Sequence, residues 1–210
     1  DIYVHMYVVS LICSFNCHSL KSSLHEVSVI CENNDLVFLQ ETWLAKFELP
    51  MLNSIHQSFL GLGTTAFDSS SALLLGRPYG GVAILWKKVL QPAIKVKIVD
   101  ERIMHVDIMS NTSTVSLVNV YLPADYRDQD SHDQFCMCLG KLACLLDVIS
   151  TKTNYFGIIG DFNANSHGSP FFSELTDFCS ENGLTISDVS FLGASSSAYT
   201  FVSAAHRSTS

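Results

Sequence analysis

The chain has 210 residues, of which 48% are hydrophobic and 15% are charged. This composition supports the core of one large domain without disulfides and excludes a polar, disordered chain. The formal net charge of -8 counts against strong non-specific DNA binding, which depends on a basic surface. It fits an acidic, cation-binding site, or a domain whose affinity for DNA comes from elsewhere.

The first predicted element is an apolar segment, residues 7–15, which we interpret as a buried strand behind a ragged leader of residues 1–6. No basic region precedes it and no small-residue cleavage site follows it, so it does not resemble a signal peptide. It is also too short to span a membrane. Because the chain begins at Asp1 rather than Met, we expect a fragment of a longer protein.

Strands and helices alternate early and late in the chain, with consecutive strands between them. This order indicates one mixed α/β domain built in layers, over residues 1–210. Runs rich in Val, Ile and Phe predict strands at 7–15, 35–40, 80–87, 93–99, 103–109, 114–121, 155–160 and 198–202. Apolar residues at helical spacing predict helices at 20–33, at 130–150 with Ser131 as its cap, and at 169–182 before Gly183. Segments rich in Gly, Ser and Ala predict loops at 61–78 and 190–197.

The seven cysteines form no CxxC pair. Cys136 and Cys138 lie two residues apart, but no second pair completes a zinc site. We interpret the cysteines as reduced packing residues of an intracellular protein.

Polar side chains follow several predicted strands at the point where each strand ends. Ligands bind at strand ends in α/β proteins. A carboxylate there can hold a hard cation such as Mg²⁺, and amides can contact a phosphate without adding negative charge. This mixture favours an anionic substrate beside a metal. The residues are Asn16, Glu41, Tyr121, Asp161, Asn163 and Asn165.

Each of these residues also has an ordinary structural explanation. Asn and Asp after a strand are common turn formers, and an acid such as Glu41 favours the first turn of a helix. Tyr121 could cap the core, His18 and His167 fit loop positions, and Trp43 and Phe162 fit packing positions.

Five motifs together carry a resemblance to a known family. They are "SFNCHSLKSS", "DLVFLQETWL", "YGGVAILWKK", "VNVYLP" and "GIIGDFNAN". In this order they resemble the endonuclease/exonuclease/phosphatase superfamily, and most closely the apurinic/apyrimidinic-like endonuclease domain of LINE (non-LTR) retrotransposons. The "NCHSLKSS", "QETWL" and "YLPADYR" segments resemble the animal retrotransposon branch. The resemblance runs from about residue 9 to the end of the chain.

The resemblance implies a four-layer α/β sandwich, in which two packed mixed β-sheets are flanked by helices and the last strand is missing. It implies nicking of target-site duplex DNA by hydrolysis of a phosphodiester, with Mg²⁺ as the cofactor and Mn²⁺ as the alternative ion. It also implies a reverse-transcriptase domain downstream in an intact element, action in the nucleus and no membrane partner.

The resemblance assigns a role to each strand-end residue. Glu41 binds the metal, and Asn16 supports the metal and phosphate end of the site. Tyr121 contacts the phosphate, and Asp161 orients or deprotonates the attacking water. Two further roles complete the assignment: Asn163 binds the phosphate or the transition state, and Thr200, in the late-strand motif "AYTF", lies near the DNA contact surface.

Two departures from the family pattern leave alternatives open. His18 and Ser19 replace the small Gly-containing turn that usually follows the first Asn. The family's final Asp-His pair is absent, because the sequence stops at "AAHRSTS", and its loss is expected to cost on the order of 10²–10⁴-fold in rate. The alternatives are a catalytically dead retrotransposon-derived fragment and another superfamily phosphodiesterase or phosphatase; "NCHS" and "YLPADYR" disfavour the latter.

Overall fold

The computed structural model describes residue 9 and residues 11–66, 80–164 and 169–187. The predicted strand at 198–202 and the predicted loop at 190–197 lie outside these ranges. The chain divides into two compact units: Asp1–Tyr121 with Lys152–Asp161, and Leu122–Thr151 with Phe162–Ser210.

In its described residues, the first unit contains two four-stranded sheets and one α-helix. Its elements are β1 (Ile12–Asn16), α1 (Leu24–Asn33), β2 (Leu36–Gln40), β3 (Phe59–Gly63), β4 (Val82–Lys87), β5 (Ile94–Ile98), β6 (Ile103–Met109), β7 (Thr114–Tyr121) and β8 (Tyr155–Asp161). Short 3₁₀ segments cover Lys46–Ser54 and Lys88–Ala93. The strand orders are β1-β2-β4-β3 and β5-β6-β7-β8. Each sheet has one parallel pair among the strands described, β1–β2 in the first and β7–β8 in the second, so both sheets are mixed. The predicted α/β fold with two mixed sheets is confirmed.

The two sheets pack against each other through an apolar layer in which Leu36 and Phe38 of β2 meet Met104 and Val106 of β6. The alternate residues of β2, Val37 and Leu39, face a second cluster that includes Val27 of α1. Burial on both faces explains why "LVFLQ" is a continuous apolar run. Each such side chain contributes about 1.5–3 kcal/mol by leaving water.

The second unit contains α2 (Gln129–Ser150) and α3 (Pro170–Glu181). The rings of Phe135 and Phe171 stack at a centroid distance of 4.2 Å, which joins the two helices. The predicted cap at Ser131 is wrong, because Asp128 is the N-cap and its side chain accepts a hydrogen bond from the Ser131 backbone N–H. The predicted stop at Gly183 is confirmed: it follows the C-cap residue of α3 with a φ of 65°.

The loop predicted for 61–78 is wrong at its start, because Gly61 and Gly63 lie in β3. Two glycines in five residues argue against a strand, but in this structure the missing side chains leave space for Leu52 and Leu85 to pack against β3. A Cβ on Gly61 would lie 2.5 Å from Leu85 Cδ2 and 2.9 Å from Leu52 Cβ. Tertiary packing therefore overrides the weak strand propensity of glycine. Within the described ranges, no helix is long and apolar enough to cross a membrane.

Candidate active site

Two parallel strand pairs bring the predicted site residues to the ends of their sheets. Asn16, the last residue of β1, is paired with Gln40 of β2, so Glu41 follows directly beside it. Tyr121 and Asp161 are paired as the last residues of β7 and β8. Strand β8 packs against β1 and β2 of the other sheet. The carboxyl ends of four strands therefore supply the polar residues of one site, as ligand sites in α/β folds require.

The side-chain amide of Asn16 links two carboxylates. Its Nδ2 donates to Glu41 Oε1 at 2.8 Å and to Asp161 Oδ2 at 2.7 Å. Its Oδ1 accepts a hydrogen bond from the His18 backbone N–H at 3.2 Å. The three residues that the sequence singles out as metal ligand, metal support and base are thus in direct contact. One neutral amide holds both acids without adding charge.

Glu41 is held on its second oxygen by two aromatic residues. Trp43 Nε1 donates to Glu41 Oε2 at 3.2 Å, and His18 Nδ1 lies 3.3 Å from the same oxygen. The Glu41 side chain is 12% exposed, whereas that of His18 is 54% exposed. The sequence interpretation missed both contacts by treating His18 as a loop residue and Trp43 as packing. Their positions two residues after Asn16 and Glu41 were the available signal.

The backbone at this edge adopts an uncommon conformation. Glu41, Trp43 and His18 have φ values of 53°, 52° and 43°. Non-glycine residues with positive φ are rare, and they cluster at functional sites where surrounding structure holds them. Here the backbone N–H of Trp43 donates to the Gly80 carbonyl at 3.0 Å, which holds the turn after β2. These turns aim the polar side chains at one another.

Tyr121 is half-buried and packs against the apolar layer between the sheets. The guanidinium of Arg102 lies over its ring at 5.2 Å from the centroid, and Arg102 Nη1 donates to the Tyr121 carbonyl at 3.3 Å. The packing of Tyr121 on the apolar layer fits its interpretation as a cap of the core, but the same ring also contacts the guanidinium of Arg102. No pattern in the sequence indicates the cation beside it.

Gly160 permits the close approach of β8 to β7 immediately before Asp161. Its φ is 143°, and a Cβ at this position would lie 2.1 Å from the Val120 carbonyl oxygen. No side chain fits such a separation, so the glycine of "GDFN" is required by the backbone. The position of Asp161 depends on it.

A buried amide pair lies directly behind the site. Gln40 Nε2 donates to Asn119 Oδ1 at 2.7 Å and to Ser14 Oγ at 3.1 Å. Asn119 Nδ2 donates to the carbonyls of Leu39 and Ala83 at 3.1 and 3.0 Å. Asn119 belongs to β7 of one sheet and Gln40 to β2 of the other, so this pair joins the sheets one residue before Glu41. The sequence interpretation did not identify it.

Two further residues, Asn163 and Thr200, carry roles assigned by resemblance. Asn163 belongs to the second unit, has a φ of 48° and donates through Nδ2 to the Leu122 carbonyl at 2.8 Å. Thr200, like Asn165, lies outside the described residues. Their predicted roles stay predictions.

The sequence profile of the Endonuclease/Exonuclease/phosphatase family matches residues 13–209. No curated protein matches the chain in sequence. Solved structures do match it, and they include a 3'-5' exonuclease from Neisseria meningitidis at 17% identity and a TM-score of 0.66, covering 93% of this chain and 79% of that chain.

Two further similar structures are an AP endonuclease and a 3' phosphatase. An AP endonuclease from Leishmania major has 14% identity and a TM-score of 0.64, and the match covers 93% of this chain and 72% of that chain. A 3' phosphatase from Neisseria, bound to a product DNA hairpin, has 18% identity and a TM-score of 0.57, with 80% and 71% covered. At these identities the likeness establishes the fold.

Proposed function

We propose that this chain, which belongs to the endonuclease/exonuclease/phosphatase family, is a Mg²⁺-dependent DNA endonuclease domain of a non-LTR retrotransposon. It hydrolyses a phosphodiester and nicks target DNA. The observation that carries this proposal is the contact of Glu41 and Asp161, from different sheets, with the single amide of Asn16. The five motifs that resemble LINE endonucleases support the retrotransposon assignment, and with it action in the nucleus and a downstream reverse transcriptase.

The donor set fits a hard divalent cation. Family members generally depend on divalent metals. Glu41 and Asp161 offer carboxylate oxygens, Asn16 offers an amide, and the three meet at one point. Mg²⁺ and Mn²⁺ prefer such oxygen ligands over sulfur. Glu41 would hold the ion, and Asn16 would support the metal end of the site by holding both acids through Nδ2, since its Oδ1 accepts the His18 N–H. The ion would neutralise charge on the phosphate and lower the pKa of a bound water.

The protein's own residues supply orientation and proton transfer. Asp161 accepts a hydrogen bond from Asn16 on Oδ2, which fixes the rotation of its carboxylate. We assign Asp161 as the acceptor of the proton that leaves the attacking water. Trp43 and His18 fix Glu41 from the other side, so that the two acids hold different positions and different roles.

By resemblance, we assign Tyr121 to phosphate contact, and Asn163 to binding of the phosphate or the transition state. The guanidinium of Arg102 lies against the Tyr121 ring and adds positive charge on this side of the first unit. A cation beside a phosphate contact favours a polyanionic substrate, despite the net charge of -8 for the whole chain. Thr200 is assigned to the DNA surface by resemblance.

A nicking assay on supercoiled plasmid with Mg²⁺ tests this function. The variants Asp161→Asn and Glu41→Gln keep the shapes of the side chains and remove one charge each. We expect nicking by the parent chain, and a loss on the order of 10²–10⁴-fold in Asp161→Asn because it removes the proton acceptor. Glu32→Gln, an exposed acid on α1, is the matched control and should retain parental nicking.

The substrate distinguishes the alternatives. A closed plasmid has no ends, so nicking separates an endonuclease from a 3' exonuclease or 3' phosphatase. An oligonucleotide ending in a 3' phosphate, processed while the plasmid stays intact, would favour another superfamily phosphatase or phosphodiesterase. No reaction with either substrate, from a folded chain, would favour the catalytically dead fragment.

A further inference from the structure

The facing sides of α2 and α3 hold three metal-ligand side chains that the proposed nuclease site does not use. They are His132 and Cys136 of α2 and Glu174 of α3. Among the residues that the structure describes, they form the one group of three or more His, Cys, Asp or Glu side chains with ligand atoms close enough for an ion. We propose that they bind a borderline-soft divalent cation of the Zn²⁺ class, with water as the fourth ligand.

The arrangement follows from helix geometry. His132 and Cys136 are four residues apart, so their side chains lie on one face of α2. Glu174 reaches them from α3, and its Oε1 lies 3.3 Å from His132 Nε2. Cys136 Sγ lies 3.8 Å from the same nitrogen. All three ligand atoms lie within 4.8 Å of one another.

These separations match those of a tetrahedral zinc site. Zinc–ligand bonds near 2.0 Å to nitrogen or oxygen and 2.3 Å to sulfur place nitrogen and oxygen roughly 3.3 Å apart and nitrogen and sulfur roughly 3.5 Å apart. The observed 3.3 Å and 3.8 Å require only a small closing movement of the partly buried side chains. Imidazole, thiolate and carboxylate are all zinc ligands, and the thiolate disfavours Mg²⁺.

The local charge also favours a cation. Burial raises the pKa of the Cys136 thiol, and the carboxylates of Glu174 and Asp133 raise that pKa further. The same negative potential attracts a divalent ion, which deprotonates the thiol on binding. A bound thiolate and carboxylate together balance the charge of Zn²⁺.

A nucleophilic Cys-His-Glu triad does not explain the cluster. In such a triad the acid and the nucleophile contact different nitrogens of the imidazole. Here Glu174 Oε1 contacts Nε2 of His132 at 3.3 Å, and Cys136 Sγ lies closer to that nitrogen, at 3.8 Å, than to Nδ1, at 4.0 Å. The raised pKa of Cys136 also opposes a reactive thiolate. An ion pair between His132 and Glu174 would explain the contact of these two residues but not the position of Cys136 beside them.

An ion at this position would tie α2 to α3 beside their main packing contact. The His132 ring lies 6.0 Å from the Phe171 ring, which stacks on Phe135. Both helices belong to the second unit, so a bound ion would stabilise the folded state of that unit. Since a ligand that binds only the folded state raises the melting temperature, stability provides a second readout.

Cobalt titration of the whole purified chain tests the proposal, with a non-thiol reductant and excess Mg²⁺ to fill oxygen-ligand sites. We expect one equivalent of Co²⁺ to produce a thiolate-to-cobalt charge-transfer band and tetrahedral d–d bands, which Zn²⁺ then displaces. Cys136→Ser should abolish the charge-transfer band. Cys144→Ser, an exposed cysteine of the same helix, should retain it.

The remaining ligands are tested by affinity and stability. His132→Asn and Glu174→Gln should each weaken Co²⁺ binding roughly tenfold or more, since even outer-shell losses cost that much. Zn²⁺ should raise the melting temperature of the parent and of Cys144→Ser, but not of Cys136→Ser. The proposal is refuted if the folded parent, checked by circular dichroism, gives no charge-transfer band, or if the band persists in Cys136→Ser.

Discussion

Asn119 offers the sharpest test of how the two sheets are held together behind the site. It is fully buried and makes three hydrogen bonds, with the side chain of Gln40 and the carbonyls of Leu39 and Ala83. Asn119→Ala removes all three and opens a small cavity between β7 and the opposite sheet. We expect a lower free energy of unfolding, while the surface of the folded protein stays the same because Asn119 is fully buried.

The structure sets the size of this loss. A buried hydrogen bond contributes about 1 kcal/mol net, and an abandoned buried partner costs about 1–3 kcal/mol. Gln40 keeps Ser14 Oγ at 3.1 Å, so its amide is not left without a partner. We therefore expect Asn119→Ala to lower the free energy of unfolding by about 3 kcal/mol, a large part of the roughly 5–15 kcal/mol of a typical domain.

Urea denaturation of parent and variant measures the difference. Ser14→Ala is the matched control: it removes the contact between Ser14 and Gln40 but leaves Asn119 intact, and should cost about 1 kcal/mol or less. A double-mutant cycle with Gln40→Ala should give a coupling of roughly 0.5–1.5 kcal/mol for the Gln40–Asn119 contact. A loss below about 1 kcal/mol in Asn119→Ala, equal to that of Ser14→Ala, would refute the role of this residue.

Two further predictions concern β8 and β6. Gly160→Ala should lower the melting temperature and abolish nicking, because its Cβ would lie 2.1 Å from the Val120 carbonyl oxygen. Gly157→Ala, on the same strand, should be tolerated, because the nearest atom to its Cβ would lie 3.7 Å away. Equal melting temperatures for the two variants would contradict this reasoning. Burial lowers the pKa of His105 below its ordinary 6.5, outweighing the opposite effect of Asp107, so the unfolded chain binds the proton more readily. Stability should therefore fall as pH drops below about 6.5, and His105→Gln should flatten the dependence measured by urea denaturation while exposed His25→Gln should not.

The strand-end positions of Asn16, Glu41, Tyr121 and Asp161 could be predicted from the sequence, whereas the strand pairing that brings them together comes from the structure. Runs such as "LVFLQ" are apolar on both faces, which marks buried strands, and polar residues directly after them lie at strand ends. Two parallel pairs then bring Asn16 beside Glu41 and Tyr121 beside Asp161. No knowledge of side-chain rotamers is needed for that step.

The parts that could not be predicted depend on local backbone conformation or on packing between distant elements. The positive φ of Glu41, Trp43 and His18 turns their side chains toward one another, and propensity gives no signal for it in such residues. Strand β3 was missed because its glycines fit the side chains of Leu52 and Leu85, which are distant in sequence. The His132–Cys136–Glu174 cluster was missed because its ligands come from two helices and match no linear zinc motif.

The two proposed metal sites differ in the chemistry of their ligands, and this difference makes them separable by experiment. Glu41 and Asp161 are like charges in contact with one amide nitrogen, an arrangement that a hard cation stabilises. The proposed ligands at this site include no sulfur atom. The cluster at Cys136 contains a thiol and an imidazole, which favour softer ions. Mg²⁺ should therefore support nicking in Cys136→Ser as in the parent, while the cobalt–thiolate band should persist in Glu41→Gln. Loss of both nicking and the cobalt–thiolate band in either variant would contradict the assignment of two separate metal sites.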